Sequence, residues 1–248
     1  MKTLFWALKL LDYFDDNHKN RGVTELAELT GLPKSSVFNA LNTFEKCGYL
    51  RKRSTTGKYA LAPKVVCLYH AYSSGNDDAQ AFQKECKIIS DRLDAIVHVG
   101  ALVDNKVIYL ACTYPSRYPQ AADIGMAVPM HCTAVGKAIL AFLPPETQRQ
   151  LITENLPAYT RHTITDHAAL DHELAVIRGQ NYAVDNMEYD ESMRSVAVPI
   201  HHRGIKDSVA HYAISVTMPY TKMPEETVID YVKIIRDTHE EYHASMVL

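Results

Sequence analysis

At 248 residues, with 47% apolar and 22% charged side chains, the chain has material for one large core or two modest ones and the balance of an ordered globular protein. No apolar run reaches the roughly 18 residues that a bilayer-spanning helix needs, which argues against a membrane span. The net charge of −3 hides an asymmetry: residues 1–64 hold 11 Lys/Arg against 6 Asp/Glu, a net of +5, and the remainder holds 15 against 23, a net of −8. A basic module on an acidic body suits a polyanion partner for one part only.

Lys9, Asp12 and Asp15 interrupt the opening stretch MKTLFWALKLLDYFDD, so it reads as an amphipathic helix rather than a signal peptide. Leu4, Ala7, Leu8, Leu11 and Phe14 fall on its apolar side. VTELAELTGL, residues 23–32, predicts a short helix with Thr24 as its cap, Glu25 near the positive end of its dipole and Gly31 at its end. Pro33 then suits the start of another helix.

In that next helix Val37, Ala40, Leu41 and Phe44 keep the spacing of a core face. The opposite side carries Ser35, Ser36, Asn39, Asn42 and Lys46, flanked by Phe38 and Thr43. These side chains are short enough to enter a major groove and hold donors and acceptors for base edges. YLRKRSTTGKYAL, residues 49–61, then predicts two short strands around a turn, with Arg51, Lys52, Arg53 and Lys58 exposed. Helices followed at once by a basic hairpin are the layout of a winged helix-turn-helix whose wing grips phosphates.

PKVVCLYHAYSS, residues 63–74, predicts a further helix, and GNDD breaks the pattern, which puts a domain junction near residue 76. QAFQKECKIISDRLDA is helical by spacing, and AIVHVGALVDNKVIYLACTY reads as two strands joined by an Asp-Asn turn. A second strand pair is expected around Arg203-Gly204 in SVAVPIHHRGIKDSVAHYAISVTM, and the tail from Pro224 to His243 is helical with Val228, Val232 and Ile235 inward. The body therefore reads as an α/β sensor.

Three features of that body could hold a ligand. PMHCTAVGKAILAFL places a small-residue turn at a helix start, where the N–H groups of Ala134, Val135 and Gly136 could hold an anion, or where Gly136 could simply allow close packing. Asp185 ends a strand, and Ser215 and Thr217 share one strand face. Five scattered cysteines without a CxxC pair argue against a disulfide scaffold and for a reducing cytoplasm. The histidines, including His131 beside Cys132, His167 with His172 and His201 with His202, lack zinc-site spacing, so no metal or other cofactor is expected. Cys132 at a helix start could also be an activated thiol, without an accompanying catalytic constellation.

The segments LAELTGLPKSSVFNALNTFEKCGYL, KYALAPKVVCL, PMHCTAVGKAILAFLP and YAVDNMEYDESMRSVAVPI, in this order and spacing, resemble the isocitrate lyase regulator (IclR) family of bacterial transcription regulators. The resemblance implies an α+β chain with a winged helix-turn-helix at 1–61, a linker helix at 62–76 and a GAF-like effector-binding domain at 77–248. It implies a double-stranded DNA partner with a near-palindromic operator, homodimers that can pair into tetramers, and no enzymatic activity. The family's effector contacts fall on Ala134, Val135, Asp185, Ser195, Ser215 and Thr217, a set suited to a small organic acid such as a sugar acid or keto acid. The chain departs from the family at Asn39, where a basic residue is common, at Ser192, where glycine is usual, and at Ser195, where cysteine is frequent. The expected role is a repressor of a catabolic operon. The alternatives are a ligand-dependent activator, a small-molecule enzyme carrying a targeting module, and a protein-interaction adapter.

Overall fold

A computed structural model describes residues 2–15, 17–118, 122–152, 155–201 and 209–244. The chain divides into two compact units, Met1–Asn76 and Asp77–Leu248.

In the first unit, helix α1 (Lys2–Lys9) runs into a 3-10 turn at Leu10–Tyr13 and is followed by α2 (Val23–Thr30) and α3 (Lys34–Lys46). Strands β1 (Leu50–Lys52) and β2 (Tyr59–Leu61) pair antiparallel with Arg51 opposite Ala60, and α4 (Lys64–Gly75) closes the unit. The core is Leu10, Phe14, Leu26, Ala27, Val37, Leu41, Leu50 and Tyr59. Burying each of its larger side chains contributes about 1.5–3 kcal/mol, which holds α2, α3 and the hairpin as one body. Arg21 and Tyr59 exchange backbone hydrogen bonds at 2.9 and 2.8 Å, so the segment before α2 lengthens the hairpin ladder.

Two local expectations need correction. The cap of α2 is Gly22, whose N–H donates to the Glu25 carboxylate at 3.3 Å, while Thr24 lies inside the helix. Gly31 does end α2, at φ 69°, a left-handed conformation that glycine adopts without a Cβ clash. The apolar side of α1 stays in solvent: Leu4 is 61% exposed, and Phe5, Trp6 and Leu8 are also exposed. Only from Leu10 onward does this segment enter the unit's core. A single amphipathic turn of sequence shows which face is apolar, and the rest of the chain decides whether that face is covered.

In the second unit a six-stranded antiparallel sheet has the order β5-β4-β3-β8-β7-β6. Its strands are β3 (Ile96–Val103), β4 (Lys106–Thr113), β5 (Ala127–Val128), β6 (Ala183–Asn186), β7 (Met193–His201) and β8 (Ala210–Pro219). Asp104 and Asn105, both at positive φ, make the β3–β4 turn, as Asp and Asn tolerate this region well. The turn expected at Arg203-Gly204 lies outside the described residues.

Helices cover both faces. On one, α5 (Asp77–Leu93) and α9 (Val228–Ala244) bring Phe82, Cys86, Ile89, Val232 and Ile235 onto Val97, Val99, Ile214 and Val216. On the other, α6 (Ala134–Leu140) and α8 (His167–Gln180) pack with Val107, Tyr109, Ala183, Ala197 and Ala213. A short helix, α7 (Pro145–Leu151), lies between them in sequence. This is an α+β architecture with an N-terminal helix-turn-helix unit and a second unit built on one antiparallel sheet.

Candidate functional site

The first candidate surface belongs to α3 and the hairpin. Burial of Val37 and Leu41 turns the other side of α3 outward, and Ser35, Ser36, Phe38, Asn39, Thr43 and Lys46 are exposed while Asn42 is half-buried. The Thr43 hydroxyl donates to the Asn39 carbonyl at 2.8 Å, so its oxygen can act outward as an acceptor. The wing turn is fixed by Arg53 N–H donating to Lys58 O at 2.8 Å and Gly57 N–H to Arg53 O at 2.8 Å.

Arg51, Lys52, Arg53 and Lys58 are all exposed on this turn. Three of them have protein partners: Arg53 Nε donates to Asn20 Oδ1, Lys58 Nζ lies 3.3 Å from Glu25 Oε2, and Lys52 Nζ sits 5.6 Å from the Tyr59 ring centre. Exposed pairs of this kind are weak, at most about 1 kcal/mol, so a phosphate can displace them. At the base of α4, Lys64 Nζ donates to Cys47 O at 2.8 Å and stands 4.6 Å from the centre of the Tyr49 ring, tying the start of α4 to the end of α3.

The second candidate surface is built on the sheet face beneath α6. Register places Asp185, Ser195 and Thr217 in one rung across β6, β7 and β8, and Ala197, Ser215 and His98 in the next. Residues directly opposed in a ladder leave the sheet on the same face, so these polar groups converge. The Ser195 and Thr217 hydroxyls are 2.9 Å apart. Ala134 and Val135 form the first turn of α6, which lies across β6, β7 and β8. All six residues expected at an effector site therefore belong to one region of one unit.

The structure changes the anion expectation at α6. Gly136 N–H donates to the capping Thr133 hydroxyl at 3.2 Å and is occupied, which leaves the Ala134 and Val135 N–H groups outside that cap. Gly136 itself is required by packing, because a Cβ there would stand 2.5 Å from Met130 Cα and 2.7 Å from Pro129 O.

Electrostatics at this face are set by burial. Asp185 is 5% exposed, and burial, with Glu188 adding repulsion, raises its carboxyl to about 7, even though it accepts the Glu188 N–H at 2.7 Å. Lys137 is buried and its Nζ meets both Glu173 Oε1 at 3.0 Å and Glu188 Oε1 at 2.5 Å. This triad ties α6 to α8 and to the loop after β6. The activated-thiol reading of Cys132 is overturned, since burial first, then Asp185 and Glu188, push its thiol up to about 12. Desolvation outweighs any help from the helix start, and the thiol stays protonated.

Among the described residues no group of three His, Cys, Asp or Glu side chains is placed to hold a metal ion. His131 Nε2 donates to Pro157 O at 3.0 Å, and His201 Nε2 to Asn181 Oδ1 at 2.8 Å. His202 lies outside the described residues. A surface recess of about 560 Å³, lined by Pro145, Gln148, Arg149, Ile152, His167 and Asp171, includes none of the six sheet-face residues.

Family models match both units. The model described as IclR helix-turn-helix domain covers residues 3–54, and the model described as bacterial transcriptional regulator IclR C-terminal covers residues 70–243. The chain belongs to the IclR family of bacterial transcriptional regulators. It is 32% identical over 215 residues to the HTH-type transcriptional regulator Rv1719 of Mycobacterium tuberculosis, covering 86% of this chain and 80% of that protein. Its fold is similar to an IclR-type regulator of Silicibacter sp. TM1040, with a TM-score of 0.84, 24% identity and coverage of 97% and 94% of the two chains. It is also similar to an IclR homolog of Microbacterium hydrocarbonoxydans solved with 4-hydroxybenzoate, at a TM-score of 0.74, 20% identity and coverage of 98% and 99%.

This IclR-family chain is therefore a helix-turn-helix transcriptional regulator with a ligand-binding unit, and its family is not one of enzymes. No helix among the described residues is long and apolar enough to cross a membrane. Sequence reasoning missed His98, Tyr109, Tyr114, Lys137 and Glu188 at the sheet face. The one local signal was a histidine inside the apolar strand AIVHVGALV. The Lys137 triad joins residues 36 and 51 positions apart, a pairing that no local pattern encodes.

Proposed function

We propose that this IclR-family regulator represses a catabolic operon and that a small organic acid modulates its grip on DNA. In this reading α3 enters the major groove with Ser35, Ser36, Phe38, Asn39, Asn42, Thr43 and Lys46 toward the bases. The wing residues Arg51, Lys52, Arg53 and Lys58 hold the flanking phosphates. The observation that carries it is the outward face of α3, small and polar over its length, with an exposed cationic hairpin built on the same core.

The effector site is assigned to Ala134, Val135, Asp185, Ser195, Ser215 and Thr217. Two N–H groups, three hydroxyls and a carboxyl that titrates near neutrality suit a hydroxy- or keto-bearing acid, a sugar acid or a keto acid among them. The related homolog solved with 4-hydroxybenzoate supports an organic acid as the class.

A homodimer, with a further pairing into tetramers, is supported by the uncovered apolar side chains of α1 and by exposed Val66, Leu68, Tyr69 and Tyr72 on α4. Two copies would set two α3 helices on a near-palindromic site. The free cysteines fit a cytoplasmic setting.

An effector shifts operator affinity only through a difference in its affinity for the DNA-competent and incompetent arrangements, and α4 is the element assigned to that bias. Genome-wide mapping of bound sites, followed by transcription from the mapped promoter with and without a panel of acids, tests the proposal. Repression relieved by an acid is expected. Transcription that rises only when protein and acid are both present would instead identify an activator.

A further inference from the structure

His98 sits in β3 directly opposite Ser215 of β8, and the neighbouring rung of β8 carries Thr217. Its side chain leaves the sheet on the same face as both hydroxyls. The ring stacks on Tyr109 with centres 4.2 Å apart, and Nε2 lies 2.8 Å from the Tyr114 hydroxyl. His98 is 5% exposed, and burial lowers its imidazole to a pKa of about 4, so the ring is neutral near pH 7.

Counting protons fixes the tautomer. The Tyr114 hydroxyl has one hydrogen and donates it to the Ala122 carbonyl at 2.8 Å. The same oxygen accepts the Ala122 N–H at 3.0 Å. Toward His98 it can therefore only accept, which requires the ring proton on Nε2. Nδ1 is then a bare lone pair, and it is buried without a partner among the described residues. An unpaired buried acceptor is costly, and any bound group with an O–H to give would recover that cost.

We infer that His98 Nδ1 reads a hydroxyl on the effector, accepting a hydrogen bond from an alcohol or phenol O–H and so selecting hydroxy acids over keto and unsubstituted acids. The inference rests on the effector site proposed at Asp185, Ser195, Ser215 and Thr217. A keto oxygen at the same place would set one lone pair against another, and a C–H would leave Nδ1 unpaired. The chemistry that recognises the acid group itself is unchanged.

Calorimetric titration of the full-length protein with lactate, pyruvate and propionate, and with 4-hydroxybenzoate and benzoate, tests this. Within a set that binds, the hydroxy acid is expected to bind about tenfold more tightly than its counterparts. His98→Phe keeps a flat ring against Tyr109 but has no nitrogen to accept a hydrogen bond, so the preference should fall to about onefold with binding retained. Tyr114→Phe removes the group that holds the proton on Nε2 and should narrow the preference in the same direction, with thermal melting as the check on folding.

A wild-type preference for the keto or unsubstituted acid overturns the inference, as does a hydroxyl preference that both variants leave intact or the failure of all five probes to bind. Binding that ignores Asp185→Asn and Thr217→Val overturns the underlying site, and the inference with it. Binding that needs those residues but shows no hydroxyl preference sinks the assignment of His98 alone.

Discussion

Ser195 Oγ and Thr217 Oγ1 face one another at 2.9 Å from directly opposed positions of β7 and β8. One hydrogen passes between them, so the second hydroxyl hydrogen and the spare lone pairs are available to a bound molecule. Thr217→Val keeps the β-branched shape and removes one hydroxyl. We expect effector affinity to fall about tenfold, the equivalent of one hydrogen bond. Operator affinity without effector should be unchanged, as read by calorimetry and gel shift on the same preparation.

Lys137 is the only cation in its triad with Glu173 and Glu188, and its side chain is 1% exposed. Lys137→Met leaves two carboxylates facing each other without compensation, and the expected loss is about 3–5 kcal/mol in a denaturant titration. Adding Glu173→Gln and Glu188→Gln to the same variant should restore much of that loss, because the uncompensated charge goes with its partners.

Asp185 gives a pH dependence with a definite sign. Its folded pKa, about 7, lies above its ordinary value of 3.8, so the folded protein holds a proton that the unfolded chain gives up. Its contribution to stability is present below pH 3.8 and is lost as pH rises through 7. His98 works the other way: its folded pKa of about 4 lies below 6.5, so its contribution is present above pH 6.5 and lost as pH falls through 4. The two oppose each other between pH 4 and 7 and flatten the wild-type curve. Asp185→Asn should separate them: its stability relative to wild type should improve from pH 4 to pH 8, by up to about 4 kcal/mol. Denaturation of both proteins across that range measures the difference.

On the DNA side, Arg51→Ala is expected to weaken binding to all sequences alike and to reduce the slope of log affinity against log salt by about one. Asn39→Ala should instead leave that slope alone and relax base preference at one position of each half-site, with a cost of about 1–3 kcal/mol on the preferred operator. Salt titrations on the operator and on single-base variants distinguish the two. A wing variant with an unaltered salt slope would remove the hairpin from the phosphate contacts.

Gly136→Ala would place its new methyl carbon 2.5 Å from Met130 Cα, against backbone that cannot rotate away. The expected cost is about 1–3 kcal/mol, with displacement of α6 and a parallel loss of effector binding. Thermal melting and calorimetry of the same variant should move together.

Periodicity and turn chemistry made most of the elements legible in the sequence. Val37 and Leu41 marked the buried side of α3 and so its outward face, and Asp104-Asn105 marked the β3–β4 turn. The strand β5 was not legible, since two residues carry too little alternation to read, whereas the strand ending near Asp185 was read and is β6. The capping of α2 by Gly22 was hidden because its partner is the Glu25 side chain, while Thr24 offered a more familiar cap.

The sequence by itself determined most of the helices, though not α7 or α8, the β3–β4 turn, that a cationic hairpin follows α3, and which family the chain resembles. The local elements depend on neighbours within about ten residues, and the resemblance on the order and spacing of four segments along the chain. Tertiary structure alone decided that Asp185, Ser195 and Thr217 share a rung, that Lys137 is shut in with two carboxylates, and that His98 keeps a bare nitrogen. The reason is physical: register across a sheet and the desolvation of a charge both depend on groups distant in the chain, and no local pattern reports what will stand opposite.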